Sequence, residues 1–411
     1  MRRTLIEAAA AADLQQITSL GASSLPSAWG LDALADAQAR HDTLLEVVRE
    51  SGEIVGYVLA RCCAEEVEIH EIVIAPSRRR AGLGSALLAH ALRAAGRAGA
   101  RSAHLEVRAN DAGALRFYQE RRFREIGRRP RYYRSGEDAI TMSRKLGPVR
   151  VDAEVVANEA DGTTGRRLRL RVPGWPGAEP GQFVMLSPGP RTRVPRTDPL
   201  LPRPMAVYRT LGDGDEIEIL YKISGRGTAL LAGAGSGDRV GVVGPLGRGF
   251  APPAEGEHAL LVGGGTGTAS LLGQAAAVAS CGQATVLLGA RTAGDLLGLA
   301  EFRALNVGLE LATEDGSAGH HGFITEPLAK ALAADPGAVV YACGPTPMMR
   351  AAAELAREHD ARCVVSLENP MACGFGVCLG CAAPLVGGGF GLVCRDGPVF
   401  DASTVDWGNL S

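Results

Sequence analysis

Between Thr43 and Ala75 apolar and polar residues alternate through three runs, TLLEVVRE, EIVGYVLARCC and EEVEIHEIVIA, which predict strands. After Pro76 the period lengthens, and an arginine-rich turn leads into GSALLAHALRAAGRAG, whose apolar spacing is helical. HLEV then predicts a strand, AGALRFYQERR a helix and DAITMSRKL a closing strand, before Gly147 and Pro148 punctuate a boundary. Six short β-patterned runs follow, VRVDAEVVANEA, RRLRLRV, QFVMLS, MAVYRTL, EIEILYKIS and DRVGVVG, separated by Gly, Pro and Asp turns at the spacing of a small barrel. From His258 strand and helix patterns alternate again in ALLVGGG, ASLLGQAAAVAS, ATVLLGAR, VGLELATED and AVVYACG, as in a parallel sheet. The tail after Arg362 is short and rich in Cys and Gly, and no internal repeat is visible. The expected fold class is multidomain α/β and β: an α/β domain at 1–146, a six-stranded β-barrel at 148–253, a parallel α/β domain at 257–362 and a small loop domain at 363–411.

A length of 411 residues exceeds what one compact core accommodates and fits this division. Hydrophobic residues make up 46% and charged residues 21%, and no stretch approaches the ~20 apolar residues a membrane helix needs. Glu7 and Asp13 interrupt the amino-terminal apolar run, which argues against a secretory signal. The expectation is a soluble, cytoplasmic chain with no membrane partner. The net charge of −2 conceals an asymmetry, with 23 Lys+Arg against 18 Asp+Glu in residues 1–150 and 20 against 27 in the remainder. A basic first half suits an anionic ligand or a ribosome-associated partner, and equally a solvated arginine-rich surface; no nucleic-acid motif accompanies it. Of nine cysteines, four crowd between Cys373 and Cys394 while the others are scattered, which implies reduced thiols and one metal site.

The segment from Arg78 to Gly84 lies between a predicted strand and helix, so its glycines can bring backbone N–H groups up to a pyrophosphate at a helix N-terminus. With Arg79, Gly82 and Gly84 following the strand HEIVIAP, it resembles the R/Q-x-x-G-x-G/A motif of GNAT acetyltransferases. The run from Leu105 to Leu146 is similar to ribosomal-protein alanine N-acetyltransferases, over about the first 146 residues. The resemblance implies acetyl-CoA as cosubstrate, contacted around Ile74, Arg79, Gly82, Gly84 and Asn110, and a protein N-terminus as acetyl acceptor. It also implies Glu106 as general base for the α-amino group and Tyr118 as general acid for the departing thiolate, roles their chemistry allows. The alternatives are a strand carboxylate paired with an arginine for Glu106, a core aromatic for Tyr118, and a non-catalytic acyl-CoA-binding module for the domain.

Arg203-Pro204-Met205-Ala206-Val207-Tyr208 places a cation and an aromatic on one barrel strand, where they could meet a phosphate and a ring. It resembles the flavin motif of the ferredoxin-NADP reductase superfamily, which implies Arg203 on FAD phosphate and Pro204, Ala206 and Tyr208 along the isoalloxazine. Ala206 replaces the usual Ser/Thr and so removes a hydroxyl contact. Gly225, Gly227 and Thr228 resemble that family's second phosphate loop, whose amides and hydroxyl would meet the FAD pyrophosphate. Gly263, Gly265, Thr266 and Gly267 follow an apolar strand and are expected to open a helix, where amides can hold a nicotinamide dinucleotide, although Thr268 replaces the last glycine of a strict G-x-G-x-x-G. In that superfamily a later Cys-Gly-Pro, here Cys343-Gly344-Pro345, would lie near the nicotinamide; a buried cysteine is otherwise a small hydrophobe. The barrel thereby reads as flavin-binding and the parallel domain as a Rossmann-like NAD domain.

Cys373-x4-Cys378-x2-Cys381-x12-Cys394 has the compact spacing of a [2Fe–2S] loop, with Gly374, Gly376 and Gly380 permitting tight wrapping. A zinc knuckle on the same four cysteines is the alternative, against which stands the grouping of three plus one. The tail SLENPMACGFGVCLGCAAPL with VCRDGPVF resembles the electron transfer subunit of class 1B dihydroorotate dehydrogenase, from residue 148 to about 402. That resemblance implies FAD, a [2Fe–2S] cluster and NAD as cofactors, a separate FMN-containing catalytic subunit as partner in a heterotetramer, and a place in pyrimidine biosynthesis. A reductase serving another acceptor, such as ferredoxin or a hydrogenase, is the alternative.

Overall fold

The computed structural model describes residues 4–410 except 51, 134, 193–197, 212–214, 252 and 255, and divides into two compact units, 1–147 and 148–411. None of the described helices is long and apolar enough to cross a membrane.

The first unit contains β1 (Thr4–Ala8), α1 (Leu14–Ser24), α2 (Leu31–Gln38), β2 (Thr43–Glu50), β3 (Glu53–Cys63), β4 (Glu66–Ile74), α3 (Leu83–Arg97), β5 (Ser102–Arg108), α4 (Ala112–Gln119), β6 (Arg124–Arg129) and β7 (Ala139–Lys145). The strands form one sheet in the order β1-β2-β3-β4-β5-β7-β6. On α3, Leu83, Leu87, Leu88, Ala91, Leu92 and Ala95 recur at helical spacing and bury against Val67 and Ile69 of β4 and Ala103, Leu105 and Val107 of β5. On the opposite face Leu14, Ile17, Leu34 and Ala37 of α1 and α2 pack on Val47, Tyr57, Leu59 and Val73. β4 and β5 run parallel but pair only from Glu66–Ser102 to Ile69–Leu105. Beyond that point β4 stays with β3 and β5 with β7, so the sheet opens into a wedge.

The second unit begins with β8 (Val149–Asp161), β9 (Gly165–Arg171), β10 (Phe183–Leu186), β11 (Arg203–Ala206), β12 (Arg209–Leu211), β13 (Glu216–Lys222), α5 (Arg226–Ala232) and β14 (Arg239–Leu246). The sheet order is β11-β10-β14-β8-β9-β13-β12. Its two edge strands are consecutive in sequence, joined only by Val207 and Tyr208, so the sheet must curl until its edges meet. The run MAVYRTL, expected as one strand, is thus bent: the Val207 N–H reaches the Gln182 carbonyl on one side and the Tyr208 N–H the Glu218 carbonyl on the other. That bend makes seven strands of the expected six.

The remaining elements are β15 (His258–Gly264), α6 (Leu272–Ala279), β16 (Gln283–Ala290), α7 (Leu299–Ala304), β17 (Gly308–Thr313), β18 (His320–His321), α8 (Thr325–Ala334), β19 (Val339–Cys343), α9 (Thr346–Glu358), β20 (Cys363–Ser366), β21 (Ala382–Pro384), β22 (Phe390–Leu392) and β23 (Val399–Asp401). The sheet order β18-β17-β16-β15-β19-β20-β23 is parallel except for β23. β15 is apolar throughout because both faces are covered: Leu260 and Val262 belong to one core, Ala259 and Leu261 to the other. Because β20 and β23 both extend this sheet, the cysteine loop and the β21–β22 hairpin form an excursion between two of its strands.

Gly267 presses against the backbone of Cys343 and Gly344, and a Cβ there would lie 2.6 Å from the Gly344 nitrogen. Gly267→Ala is expected to lower stability by about 1–3 kcal/mol, because backbone cannot yield as a side chain does. Chemical denaturation of the purified protein checks this, and an unchanged midpoint would contradict the packing.

Candidate functional sites

In the first unit, β4 ends at Ile74 and the chain turns through Pro76–Arg78 into Gly82, which has a left-handed φ of 81° and opens space at the start of α3. The first N–H groups of a helix lack intrahelical acceptors, so those of Leu83 and Gly84 are available to an anion. Arg79 donates from Nε to the Ile74 carbonyl at 3.1 Å and so braces the turn. Ile74 and Phe117 lie beside Gly84, 3.5 Å from where a Cβ would be, an ordinary packing distance. Asn110, expected on CoA, donates instead to Glu137, which also pairs with Arg108.

Glu106 is the first residue of β5 beyond the pairing with β4, at the throat of the wedge. Its carboxylate is paired with Arg129 at 3.0 Å and accepts a hydrogen bond from Tyr132, which raises that phenol's pKa. Tyr118 is buried on α4 between Phe117 and Phe123, ring centroids 5.1 and 5.6 Å away, and burial pushes its phenol above the usual range. A hydroxyl that stays protonated suits a proton donor. Burial pushes the phenol of Tyr133 up, the Arg108 guanidinium 3.9 Å from its ring centroid opposes this, and the Glu106 and Glu137 carboxylates add to it. Arg129, Tyr132 and Tyr133 were not singled out in the sequence, although RRPRYYR, an unusual arginine–tyrosine run, was the signal for them.

In the second unit, the Arg203 guanidinium lies over Gly227, where a Cβ would come within 2.6 Å of Nε and Nη2. The two expected phosphate-binding segments are therefore in contact, and the missing side chain at Gly227 is what admits the cation. The Thr228 hydroxyl, expected on phosphate, accepts from the N–H groups of Ser224 and Gly225 at 3.0 and 3.1 Å and donates to the Gly225 carbonyl at 2.9 Å. It holds the loop's shape instead. β11, the strand expected to meet flavin, contacts the turn Gly265–Ser270, which is 3-10 rather than α-helical; α6 starts only at Leu272. Gly265 has a φ of 56° with open space beside it, Thr266 is half-buried on the same turn, and Gly344 lies against the backbone of Gly264. Cys343 is fully buried, and burial pushes its thiol up to about 12, so it is a neutral wall at the crevice.

The four cysteines fall into two pairs. The sulphurs of Cys381 and Cys394 are 3.2 Å apart, and Cys373 is hydrogen-bonded to Cys378. Partial burial opposes ionisation of Cys373, but the N–H groups of Cys378, Phe375 and Val377 outweigh it and bring the thiol down to about 6. Burial and the neighbouring Cys381 push Cys394 up to about 12. Backbone N–H groups point at sulphur, Phe375 to Cys373 at 3.3 Å, Gly376 to Cys394 at 3.0 Å and Cys394 to Cys381 at 3.4 Å, as a cluster carrying negative charge on its sulphurs requires. Two pairs of thiols suit two irons better than one tetrahedral ion. Gly374, φ 79°, brings this loop against Met185 and Leu246 of the barrel.

Residues 368–406 match the iron–sulphur cluster binding domain of dihydroorotate dehydrogenase B, 261–354 the oxidoreductase NAD-binding domain and 14–123 the acetyltransferase (GNAT) family. The dihydroorotate dehydrogenase B (NAD(+)) electron transfer subunit of Desulforamulus reducens is 37% identical over 235 residues, 56% of this chain and 87% of that protein. The chain belongs to that family. Its first unit is a GNAT domain fused to the electron transfer subunit. Among solved structures, an NADH-dependent reduced ferredoxin-NADP oxidoreductase is 30% identical with a TM-score of 0.55, covering 63% of this chain and 91% of that one. The ribosomal-protein-S18-alanine N-acetyltransferase of Escherichia coli is 26% identical with a TM-score of 0.33, covering 35% of this chain and 94% of its own.

Tyr208 departs from the expected flavin contact. In this electron transfer subunit its ring is buried, and its hydroxyl donates to the Gly298 carbonyl at 3.1 Å and to Glu301 at 3.0 Å. Burial and the Glu301 carboxylate push its phenol up. The physical reason is the bend at Val207–Tyr208, which turns the side chain toward α7. There Glu301 also meets Arg167 at 2.6 Å, and Arg167 binds Asp161 at 2.6 Å and Glu218 at 3.1 Å. Tyr208 is an anchor between barrel and nucleotide sheet. Tyr208→Phe is accordingly expected to cost about 1–2 kcal/mol of stability while leaving the amount of bound flavin unchanged. Thermal unfolding and flavin content read the two separately, and loss of flavin without loss of stability would restore the ring contact.

Proposed function

We propose that the second unit relays electrons from an FMN-containing dihydroorotate dehydrogenase subunit, in a cytoplasmic heterotetramer, to NAD in pyrimidine biosynthesis. The observation that carries this reading is the pairing of Cys373 with Cys378 and of Cys381 with Cys394 on a loop pressed to the flavin barrel. When bound, the [2Fe–2S] cluster supplies one-electron exchange and FAD the conversion to hydride transfer. Cys373, Cys378, Cys381 and Cys394 would hold the cluster, and the N–H groups of Phe375 and Gly376 offset its negative charge. Arg203 and the loop from Gly225 to Thr228 would bind and orient the FAD phosphates. The backbone from Gly263 to Gly267 would hold the dinucleotide, and the walls made by Cys343 and Gly344 exclude water there. Phe375, Val377 and Leu379 are 50%, 82% and 62% exposed on the cluster loop, an apolar rim suited to a protein partner.

For the first unit we propose acetyl transfer from acetyl-CoA to a protein N-terminal amine, ribosomal-protein alanine being the acceptor its motifs favour. Glu106, freed from Arg129, takes a proton from the amine; the amine nitrogen bonds to the thioester carbonyl carbon, the C–S bond breaks, and Tyr118 donates its proton to the departing sulphur. A second redox reading, a reductase for ferredoxin, is favoured by the likeness to the ferredoxin-NADP oxidoreductase.

Anaerobically purified protein is expected to show flavin and cluster absorption that bleaches on NADH addition, and to form NADH when the FMN subunit and dihydroorotate are added. Bleaching without NADH formation would assign the relay to another partner. Cys378→Ser is expected to lose iron and sulphide while still binding CoA by calorimetry; stoichiometric iron in the variant would contradict the ligand assignment. Glu106→Gln should slow acetylation of an alanine-terminated peptide about 10²–10⁴-fold. Because burial raises Tyr118, the rate should hold on the alkaline side past the free phenol value of 10.0 and acquire no limb there; a fall centred below that value would exclude Tyr118 as the donor.

A further inference from the structure

β8 carries a bulge that changes which residues face the barrel interior. Val155 pairs with Leu170 and Ala157 with Arg169, so Val156 is an extra residue and Asn158 falls opposite Leu168. Val155, Leu168 and Leu170 are buried in the barrel core, and residues opposite one another share a face, so the bulge turns Asn158 inward with them. Without it the strand's alternation would send this amide outward.

An amide among apolar side chains is unfavourable unless its hydrogen bonds are met. Asn158 donates from Nδ2 to the carbonyls of Leu231 at 2.9 Å, Ala234 at 3.0 Å and Ala232 at 3.5 Å, and its Oδ1 accepts from the Tyr221 hydroxyl at 3.0 Å. Burial pushes the Tyr221 phenol up, with Asn158 and Arg166 opposing, so the hydroxyl stays a donor and orients the amide. Arg166 joins the group, donating to the Asn158 carbonyl at 2.8 Å and to Ala232 at 3.5 Å.

All three carbonyls lie at the C-terminal end of α5, where the last C=O groups of a helix have no partner within it. α5 closes one end of the barrel: Leu231 and Ala234 are buried in its core, and Gly189, φ 93°, admits Leu230, whose Cβ would lie 2.9 Å from a Cβ there. At its other end is the loop from Gly225 to Thr228, shaped by the Thr228 hydroxyl and touched at Gly227 by Arg203. The helix has seven residues, two turns, so displacing one end displaces the other.

We propose that Asn158 is a positioning residue for flavin: it clamps the far end of α5 into the barrel, with Tyr221 orienting its amide, and so fixes where the loop from Gly225 to Thr228 meets FAD phosphate. The proposal rests on the flavin reading of the barrel. A loop set in place before FAD arrives binds it without first being ordered, so loss of the clamp weakens the hold on FAD in a protein that is still folded.

The test follows FAD leaving the intact, anaerobically purified protein, counted in ultrafiltrates at successive times and well below the unfolding midpoint, with circular dichroism reporting the fold. Asn158→Ala should release FAD faster by about tenfold or more, because it leaves three carbonyls unmet. Tyr221→Phe, which removes the bond that orients the amide, should release it about two- to fivefold faster and add little in the Asn158→Ala background. Iron and sulphide should match the parent in both. Parent-like release from folded Asn158→Ala, or full additivity of the two substitutions, overturns the proposal. Should Asn158→Ala fail to fold, Tyr221→Phe decides alone, and parent-like release from it overturns the proposal. A parent that neither carries nor takes up FAD would instead sink the flavin reading, and the proposal with it.

Discussion

The second unit is organised by the close approach of two backbones at the C-terminal ends of neighbouring parallel strands. Gly267, leaving β15, lies on Cys343–Gly344, leaving β19, and β11 of the barrel touches the same turn. No side chain fits at Gly267, so the crevice floor is main chain, and main-chain amides can approach a phosphate where a side chain would block it. Open α/β sheets place ligands at such strand ends because both loops turn away there. The barrel is then fastened across the crevice by Tyr208, Arg167 and Glu301, a largely buried ionic group whose members are all satisfied. Removing one partner would leave buried charge uncompensated.

The cysteine loop is an excursion between β20 and β23 of that same sheet, and Gly374 lets it lie on Met185 and Leu246 of the barrel. Cluster loop, barrel and nucleotide sheet therefore share one packed body. Electron transfer falls steeply with distance, and such a body keeps its redox groups at constant separation while leaving Phe375, Val377 and Leu379 exposed. The GNAT domain uses a different device: a sheet that stops pairing after Ile69 and Leu105 and opens between β4 and β5.

Much of this was legible in the sequence where structure is local. Two-residue alternation marked β2 to β5, and glycine placement marked Gly82, Gly227 and Gly267, because only glycine tolerates the φ or the contact. What depended on distant partners was not legible. Tyr208 reads as a strand aromatic until the barrel closes and brings it to Glu301, 93 residues away in sequence. Thr228 reads as a phosphate contact because the turn it caps cannot be seen from composition. α1 and α2 left little signal because their apolar stripes are narrow, with Leu14, Ile17 and Gly21 buried on one and Leu34 and Ala37 on the other. Cysteine spacing pointed to four candidate ligands, whereas their division into two pairs is a property of the fold.

That division is the central claim, and iron-edge X-ray absorption of the anaerobically purified protein tests it most directly. The account predicts sulphur neighbours around each iron together with a second iron as a near scatterer. A lone metal with four sulphurs and no metal neighbour, whether iron or zinc, would contradict it.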